Sequence, residues 1–238
     1  MPKINVYLPD ELADSVREAG LPVSAICQYA LQQALRRVAS LRKSLSAPLE
    51  PGRLAEQFPQ LTGRAVTVLT LAAERARQRG DAPVTTGDLL HGLIAEGSNL
   101  GLQVLGAMDV DTAAISAPDN AEPAGPGGGD GLRFSAPAIA AIELAVLEAV
   151  GLSHNYVGCE HLLIGLSAEP DGAAGAVLRE LGADGRATKR AVAAAVAGYA
   201  HLRANTAQPA AATGLLTAVR AELAPLVQRI EALESRIN

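Results

Sequence analysis

The strongest constraint on the fold of this chain is an internal repeat that occupies the middle of its 238 residues. Residues 61–111 align without a gap with residues 134–184, at a constant offset of 73 positions. The matched residues include Leu89-Leu90 with Leu162-Leu163, Gly92-Leu93 with Gly165-Leu166, and Val104-Leu105 with Val177-Leu178. Each copy has the pattern of several short helices, and one copy cannot bury its apolar face alone. We therefore predict that the two copies pack with pseudo-twofold symmetry as one all-helical domain.

The composition agrees with a mainly α-helical fold. Hydrophobic residues make up 49% of the chain, but only 3% are aromatic and Trp is absent, so the apolar residues are mostly Ala, Leu and Val. Such residues favour closely packed helices. The segment between the copies, residues 116–131, is rich in Gly, Pro and small residues and predicts a flexible connector.

The second copy contains a distinctive run, Val157-Gly158-Cys159-Glu160-His161-Leu162-Leu163-Ile164-Gly165-Leu166, followed by Val177-Leu178-Arg179-Glu180-Leu181-Gly182. Together with the repeat, this run resembles the amino-terminal repeat domain of the Clp (Hsp100) unfoldases. The pattern of that family is Val-Gly-Thr-Glu-His-Leu-Leu-Gly-Leu, then Val-Leu and Leu-Gly. The resemblance covers residues 58–202, more than half of the chain.

The resemblance implies a ligand site at the glutamate of that run. In this family the glutamate, with a hydroxyl residue at the start of a repeat, can hold phosphorylated arginine on client proteins, because a carboxylate can form two parallel hydrogen bonds with a guanidinium. Glu160 and Ser135 stand at these positions in the second copy. In the first copy Thr62 is present, but the glutamate position is Gly87. The resemblance thus implies one arginine-phosphate site per chain. The alternative is that Glu160 only caps the start of a helix.

The only two Phe residues, Phe58 and Phe134, both fall at the starts of the repeats. In the Clp domain these positions lie near each other and line a groove that receives cyclic peptide antibiotics. The resemblance therefore implies a hydrophobic binding surface that contains both rings. Two ordinary core anchors are the alternative interpretation.

Residues 1–43 have the pattern of a separate small module. Residues 3–8 alternate between apolar and polar side chains, which predicts a short, half-buried strand. A helix from Asp10 to Ala19 follows, and Ser24 is expected to cap a second helix. A lone strand cannot bury its apolar face, so the sequence predicts a homodimer in which two chains pair their strands.

This order of elements resembles the ribbon-helix-helix family of DNA-binding proteins over residues 2–42. In that family the paired strands enter the major groove, and the start of the second helix holds a phosphate. The residues thereby implied to contact DNA are Lys3, Asn5 and Tyr7 on the strand, and Ser24 and Ala25 at the start of the helix. The alternative is that the module only dimerises the protein.

Three further segments complete the predicted organisation. Residues 44–57, which contain Pro48, Pro51 and Gly52, predict a linker, and residues 203–214 predict a second one. In residues 215–238 apolar side chains recur at alternating steps of three and four, which indicates an amphipathic helix with a heptad seam. A coiled coil and a helix packed on its own domain both fit this pattern.

No pattern of catalytic chemistry stands out. The chain lacks Gly-x-x-x-x-Gly-Lys-Ser/Thr, the phosphate loop on which the ATPase of the unfoldases depends. Consecutive residues of a helix point in different directions, so we expect no metal at Cys159-Glu160-His161. No arrangement of Ser, His and Asp indicates a hydrolase. We therefore expect a protein that is not an enzyme, without catalytic residues, cofactor or metal.

Cysteine usage and hydropathy predict a cytoplasmic protein. Cys27 and Cys159 do not form a disulfide framework, which fits a reducing compartment. The first residues lack the apolar core of a signal peptide, and no stretch approaches the roughly 20 apolar residues of a membrane span. The net charge of −5 argues against a protein that coats nucleic acid, although residues 1–43 carry six basic and four acidic side chains.

Two functions fit these features. The leading one is a DNA-binding regulator whose Clp N-type domain binds a peptide, a cyclic peptide or an arginine-phosphorylated protein. The alternative is a stand-alone Clp accessory protein, a decoy or adaptor that captures Clp-directed peptides or clients and works beside Clp protease components. In that alternative, the first module serves only to dimerise the chain.

Overall fold

The computed structural model of the chain describes residues 5–80, 83–126 and 131–206, and in these ranges the protein is mainly α-helical. The helices are α1 (Asp10–Glu18), α2 (Val23–Leu45), α3 (Leu54–Gln57), α4 (Gly63–Gln78), α5 (Thr86–Glu96), α6 (Leu100–Ala107), α7 (Ala136–Gly151), α8 (Cys159–Ala168), α9 (Ala173–Glu180) and α10 (Gly185–Thr206). A single 3-10 turn at Pro51–Arg53 precedes α3. Within these ranges, extended backbone forms isolated β-bridges rather than strands. The prediction of a mainly helical fold is confirmed.

Helices α4, α5 and α6 form the first copy of the repeat, and α7, α8 and α9 form the second. Each helix of the second copy begins 73 residues after its counterpart, at the offset of the sequence alignment. The first helix of each copy begins at a hydroxyl residue. Thr62 accepts a hydrogen bond from Ala65 N at 3.3 Å, and Ser135 accepts one from Ala138 N at 3.0 Å. Such a cap satisfies an amide that has no partner inside the helix, and so fixes where the helix begins.

Two β-bridges between the copies show their pseudo-twofold relation. Leu61 pairs with Val157, and Val84 pairs with Phe134, both in parallel orientation. Phe134 is the repeat equivalent of Leu61, and Val157 is the equivalent of Val84, so exchanging the copies turns one bridge into the other. The start of each copy therefore lies beside the loop that precedes the second helix of the other copy.

Small residues let the two long helices of each copy pack at close range. Gly92 of α5 faces the backbone of α4, where an added Cβ would overlap the carbonyl oxygen of Val68. Gly165 of α8 faces the carbonyl oxygen of Ala141 in α7 in the same way. The buried alanines along these helices are Ala65, Ala72, Ala73, Ala76, Ala138, Ala141, Ala145 and Ala149. Short side chains thus occupy many of the buried positions along these helices.

The amino-terminal residues differ from the predicted strand-helix-helix arrangement. Residues 5–8, the described part of the predicted strand, form no strand. A strand needs a partner for its hydrogen bonds, and the described part of this single chain provides none there. Helix α2 begins at Val23, with Pro22 at the N-cap position, so Ser24 lies in the first turn and does not cap the helix. The ribbon-helix-helix arrangement is therefore not formed within the described single chain.

The second helix, predicted to end its module at residue 43, continues to Leu45 and packs on the repeat domain. Leu41 and Leu45 are buried. Arg42 donates two hydrogen bonds to the carboxylate of Glu143 in α7, at 2.6 and 2.7 Å. The carboxyl-terminal half of α2 is thus part of the repeat domain rather than of a separate module.

Residues 44–57 are folded, although the sequence predicts a linker there. Leu49 and Leu54 are buried, and Leu49 N donates to Leu132 O at 2.8 Å. The Pro and Gly residues of this segment suggest a loose chain, but its leucines join the core. The prediction of a linker over 44–57 is therefore wrong.

The chain divides after Thr188, within α10, into two compact units. Helix α10 continues to Thr206, so the first residues of the predicted linker 203–214 are helical. The amphipathic helix predicted over 215–238 lies outside the described residues. No helix in the described part of the chain is both long and apolar enough to cross a membrane.

Candidate functional site

Phe58 and Phe134 lie against each other inside the repeat domain. Their ring centroids are 6.3 Å apart and the ring planes meet at 67°, an edge-to-face contact. Both residues are 0% exposed, so neither ring lines a groove that a ligand could enter. The β-bridge of Phe134 with Val84 holds the start of the second copy in the interior. The alternative interpretation of two core anchors therefore describes these rings, and the groove implied by the resemblance is not found at them.

Glu160, in the first turn of α8, is nearly enclosed by protein. Its side chain is 7% exposed, and its Oε1 lies 3.3 Å from Nδ1 of His161. Burial raises the pKa of the Glu160 carboxyl above its ordinary value, because the charged form loses water. A guanidinium from solvent needs both carboxylate oxygens in the open to form its two parallel hydrogen bonds. The structure does not present Glu160 in that way.

The two hydroxyl residues at the repeat starts also have partners that differ from the prediction. Ser135 N donates to Val84 O at 2.9 Å, which places Ser135 beside the loop of the first copy. Thr62 N donates to Val157 O at 3.0 Å, which places Thr62 beside the loop that leads to Glu160. Each hydroxyl residue therefore lies beside the loop of the other copy. Sequence spacing within one copy cannot reveal this arrangement, because the bridges connect different copies.

Two histidines and a tyrosine pack around the start of α8. Nδ1 of the buried His161 accepts a hydrogen bond from Gly158 N at 2.9 Å. The proton of the neutral ring is therefore on Nε2, which lies 2.9 Å from Nδ1 of His154 and donates to it. Burial lowers the pKa of His161 to about 4, so this ring is neutral at physiological pH. His154 in turn stacks on Tyr156, with ring centroids 5.0 Å apart.

His154, Glu160 and His161 form the one group in the described ranges whose ligand atoms could converge on a metal ion, all within 4.8 Å of one another. Both ring nitrogens of His161 already make hydrogen bonds, so an ion would have to replace one of them. Cys159 does not add a ligand or a nucleophile. Burial raises the pKa of its thiol to about 12, and only a thiolate would bind or attack.

A cavity of about 370 Å³ opens beside this cluster. Its lining includes Arg36 and Leu41 from α2, Val146 and Val150 from α7, and His154 and Tyr156 from the loop before α8. Of these lining residues, the apolar Leu41 and Val146 are buried, whereas Arg36 and Tyr156 are exposed. This volume lies within the usual range of ligand sites, roughly 300–1,000 Å³.

The connector between the copies is held against both copies over its described residues, 116–126. The carboxylate of Glu122 accepts hydrogen bonds from Ser135 Oγ at 2.6 Å and from Thr86 N at 3.0 Å. Gly125 N donates to Phe134 O at 3.1 Å. The prediction of a flexible connector is therefore wrong for these residues.

The residues predicted to contact DNA lie at the exposed amino-terminal end. Asn5, Tyr7, Ser24 and Ala25 are exposed, with Tyr7 92% exposed, and Lys3 lies outside the described residues. Large apolar side chains are also exposed in this part of the chain. They are Val6, Tyr7, Leu8, Leu12, Leu21, Val23, Ile26, Tyr29, Leu31 and Leu35. So many exposed apolar residues indicate an interaction surface.

The geometry defines a helical, double-repeat domain, and the comparison with known families agrees. The Clp repeat (R) N-terminal domain matches residues 19–116 and 133–225, which together make up more than half of the chain. The chain belongs to this family. The first match begins at residue 19 and so includes α2, consistent with the packing of that helix on α7.

The relatives are much longer than this chain. It is 35% identical over 150 residues to the ATP-dependent Clp protease ATP-binding subunit ClpA homolog of Brassica napus chloroplasts, which covers 60% of this chain and 17% of the relative. It is 38% identical over 136 residues to the chaperone protein ClpC1 of Oryza sativa subsp. japonica chloroplasts, which covers 56% of this chain and 15% of the relative. The crystal structure of the N-terminal domain of the chaperone ClpD from Arabidopsis thaliana is similar with a TM-score of 0.41 and 24% identity, covering 57% of this chain and 93% of that structure.

Four residues of these sites are absent from the sequence-based prediction. Glu122 and Asp119 are the only charged side chains in residues 116–129, and this is the signal in the sequence that could have indicated that the connector contacts the repeats. His154 and Tyr156 stand just before the Clp run, close enough in sequence to His161 to share one helix start.

Proposed function

We propose that this chain is a non-enzymatic binding protein whose Clp N-type domain captures a peptide segment of a partner or client protein. The cavity between α2 and the second copy carries this proposal. Its floor, formed in part by Leu41, Val146 and Val150, would accept an apolar side chain. Arg36 and Tyr156 at its edge would form hydrogen bonds with the backbone or a carboxylate of the same peptide.

The chemistry beside the cavity supports binding rather than catalysis. His161 is neutral and uses both ring nitrogens, and Cys159 keeps its proton. Glu160 is enclosed by protein. None of these three groups lines the cavity, so none of them offers a nucleophile or base to a ligand there. This favours an accessory protein, a decoy or adaptor that holds peptides directed to Clp chaperones.

A charge placed in the floor of the cavity tests the proposal. We expect Val150→Arg to weaken binding of a fluorescently labelled, hydrophobic cyclic peptide directed at Clp domains by about tenfold or more, because an apolar contact is replaced by a buried charge. Fluorescence anisotropy with the full chain measures the dissociation constant.

The matched control is Leu147→Arg, which adds the same charge to the same helix at a residue that is 49% exposed and does not line the cavity. Its affinity should equal that of the unaltered chain. Equal affinities for the Val150→Arg and Leu147→Arg chains would show that the peptide does not use this cavity.

A second candidate function is the DNA-binding regulator predicted from the amino-terminal pattern. The exposed apolar residues between Val6 and Leu35 favour the dimer on which this function would depend, since they would be covered if two copies of the chain associate through this region. Strand pairing and DNA contact would then both depend on the dimer.

A further inference from the structure

Residues of both copies of the repeat form a carboxylate-binding site that the connector fills. The Glu122 carboxylate accepts hydrogen bonds from four donors: Thr86 N at 3.0 Å, Thr86 Oγ1, Ser135 Oγ at 2.6 Å and Ala173 N at 3.3 Å. Thr86 is the first residue of α5 and Ala173 is the first residue of α9, so two helix N-termini point at the same carboxylate. Thr86 and Ser135 are fully buried, which holds their hydroxyls in place.

A second carboxylate of the connector is bound three residues earlier. Asp119 forms an ion pair with Arg75, and its Oδ1 lies 3.7 Å from Arg79 Nη1. Arg75 also donates to Ala117 O and to Gly87 O, both at 2.9 Å. Arg75 is largely buried, whereas Asp119 remains 70% exposed. The protein side of this contact is therefore rigidly placed, and the connector side is open to exchange.

The connector backbone is bound in the manner of an added peptide strand. Ala136 N donates to Pro123 O at 2.8 Å, and Gly125 N donates to Phe134 O at 3.1 Å. These bonds give an antiparallel bridge between Ala124 and Ser135. Such main-chain pairing binds an extended segment largely without regard to its sequence, and the carboxylate contacts add selectivity.

Gly87 explains how the first copy has room for this segment. A Cβ at Gly87 would overlap the carbonyl oxygen of Pro118. The equivalent residue of the second copy is Glu160, and a side chain of that size at position 87 would collide with the connector at Pro118. Where the second copy has the carboxylate of Glu160, the first copy has a glycine, and the connector supplies a carboxylate there from Glu122.

We propose that Arg75, Thr86, Gly87, Ser135 and Ala173 form a receptor for an extended acidic segment of a partner protein, with two carboxylates three residues apart. We name it the acidic-segment site. The connector is its tethered occupant and competes with the partner, because the tether gives it a high effective concentration. The acidic-segment site shares no lining residue with the cavity proposed above, so either proposal can fail without the other.

Removal of both connector carboxylates in the full chain tests this proposal. The probe is a fluorescent peptide with the sequence of residues 115–126. We expect the Asp119→Asn/Glu122→Gln chain to bind it about tenfold more tightly than the unaltered chain does, because the tethered competitor has lost its charged hydrogen bonds. A probe with Asn and Gln at the same two positions should bind about tenfold more weakly than the acidic probe. Hydrogen exchange at the Ala136 amide should become faster in the variant, as the connector leaves.

Gly87→Ala in the same variant should abolish probe binding, because its methyl group blocks the path of the peptide carbonyl. The matched control is Gly106→Ala, a helical glycine with open space around it, which should leave binding unchanged. Failure of the folded double variant to bind the acidic probe better than the unaltered chain overturns the proposal. So does an Ala136 amide that stays equally protected, or binding that Gly87→Ala leaves intact.

Discussion

The second helices of the two copies begin with the same hydrogen bond but with different chemistry. In α5, Asp88 accepts from Thr85 N at 2.8 Å, and in α8, His161 accepts from Gly158 N at 2.9 Å. The Asp88 carboxylate forms an ion pair with Arg79. The neutral His161 ring instead donates a hydrogen bond from Nε2 to His154. Because of this one difference between the copies, an ion pair lies at the start of α5, whereas the hydrogen bonds at the start of α8 depend on a ring that can titrate.

We predict that the free energy of unfolding falls as the pH drops from about 6.5 to about 4, and that His161 causes part of this loss. Its pKa is lowered from 6.5 to about 4 in the folded chain, so the folded state resists a proton that the unfolded state accepts. The stabilisation is complete above pH 6.5 and amounts to about 3 kcal/mol, all of it lost below pH 4. Urea unfolding across this pH range measures it.

His161→Asn is the informative variant, because an amide oxygen can still accept from Gly158 N but does not titrate. Its stability should depend less on pH over this range. Glu160 acts in the opposite direction, since its raised pKa favours the protonated acid in the folded chain. Glu160→Gln should therefore make the loss on acidification steeper. An unchanged pH profile for His161→Asn would show that His161 does not control acid stability.

Helix packing in both copies depends on one glycine per pair of helices. We predict that Gly165→Ala destabilises the chain by about 1–3 kcal/mol, although alanine is the better helix former, because the new methyl group must displace the backbone of α7 at Ala141. Gly106→Ala, which meets open space in α6, should instead be neutral or stabilising by up to about 1 kcal/mol. Thermal unfolding of both variants distinguishes close packing from helix propensity, and equal melting temperatures would contradict the packing explanation.

The helices of the repeat can be predicted from the sequence because apolar periodicity and a hydroxyl cap such as Thr62 or Ser135 are local signals, and the constant offset shows them twice. The ordered arrangement of the connector cannot be predicted in this way, since it depends on donors at Thr86 and Ala173, which lie far from Glu122 in sequence. For the same reason, the sequence indicates that the Phe residues start the repeats but not that their rings are buried.

At the scale of the molecule, the amino-terminal segment differs from the rest of the described residues in its exposed apolar side chains. Of the exposed large apolar side chains in the described residues, Leu147, Tyr156 and Leu181 belong to the repeats, and all others lie between Val6 and Leu35. The carboxyl-terminal half of α2 is anchored on α7, whereas the exposed apolar side chains lie on its amino-terminal half and on the residues before it. Association of two chains through this surface would remove it from water, which favours the dimer predicted from the unpaired strand.

We predict that the chain is a dimer and that Leu31→Glu/Leu35→Glu converts it to a monomer, because like charges then face each other across an apolar interface. Leu147→Glu, which alters an exposed apolar residue on α7, should leave the dimer intact. Light scattering gives the masses, and a dimer that survives the double substitution would place the interface elsewhere.

If the amino-terminal region also binds DNA, the dimer should shift genomic fragments in a mobility assay, with an affinity that drops steeply with salt, and the monomeric variant should not. A stable dimer that shifts no fragment at low salt would show that this region only joins two Clp domains. Peptide capture by paired domains would then be the function that remains.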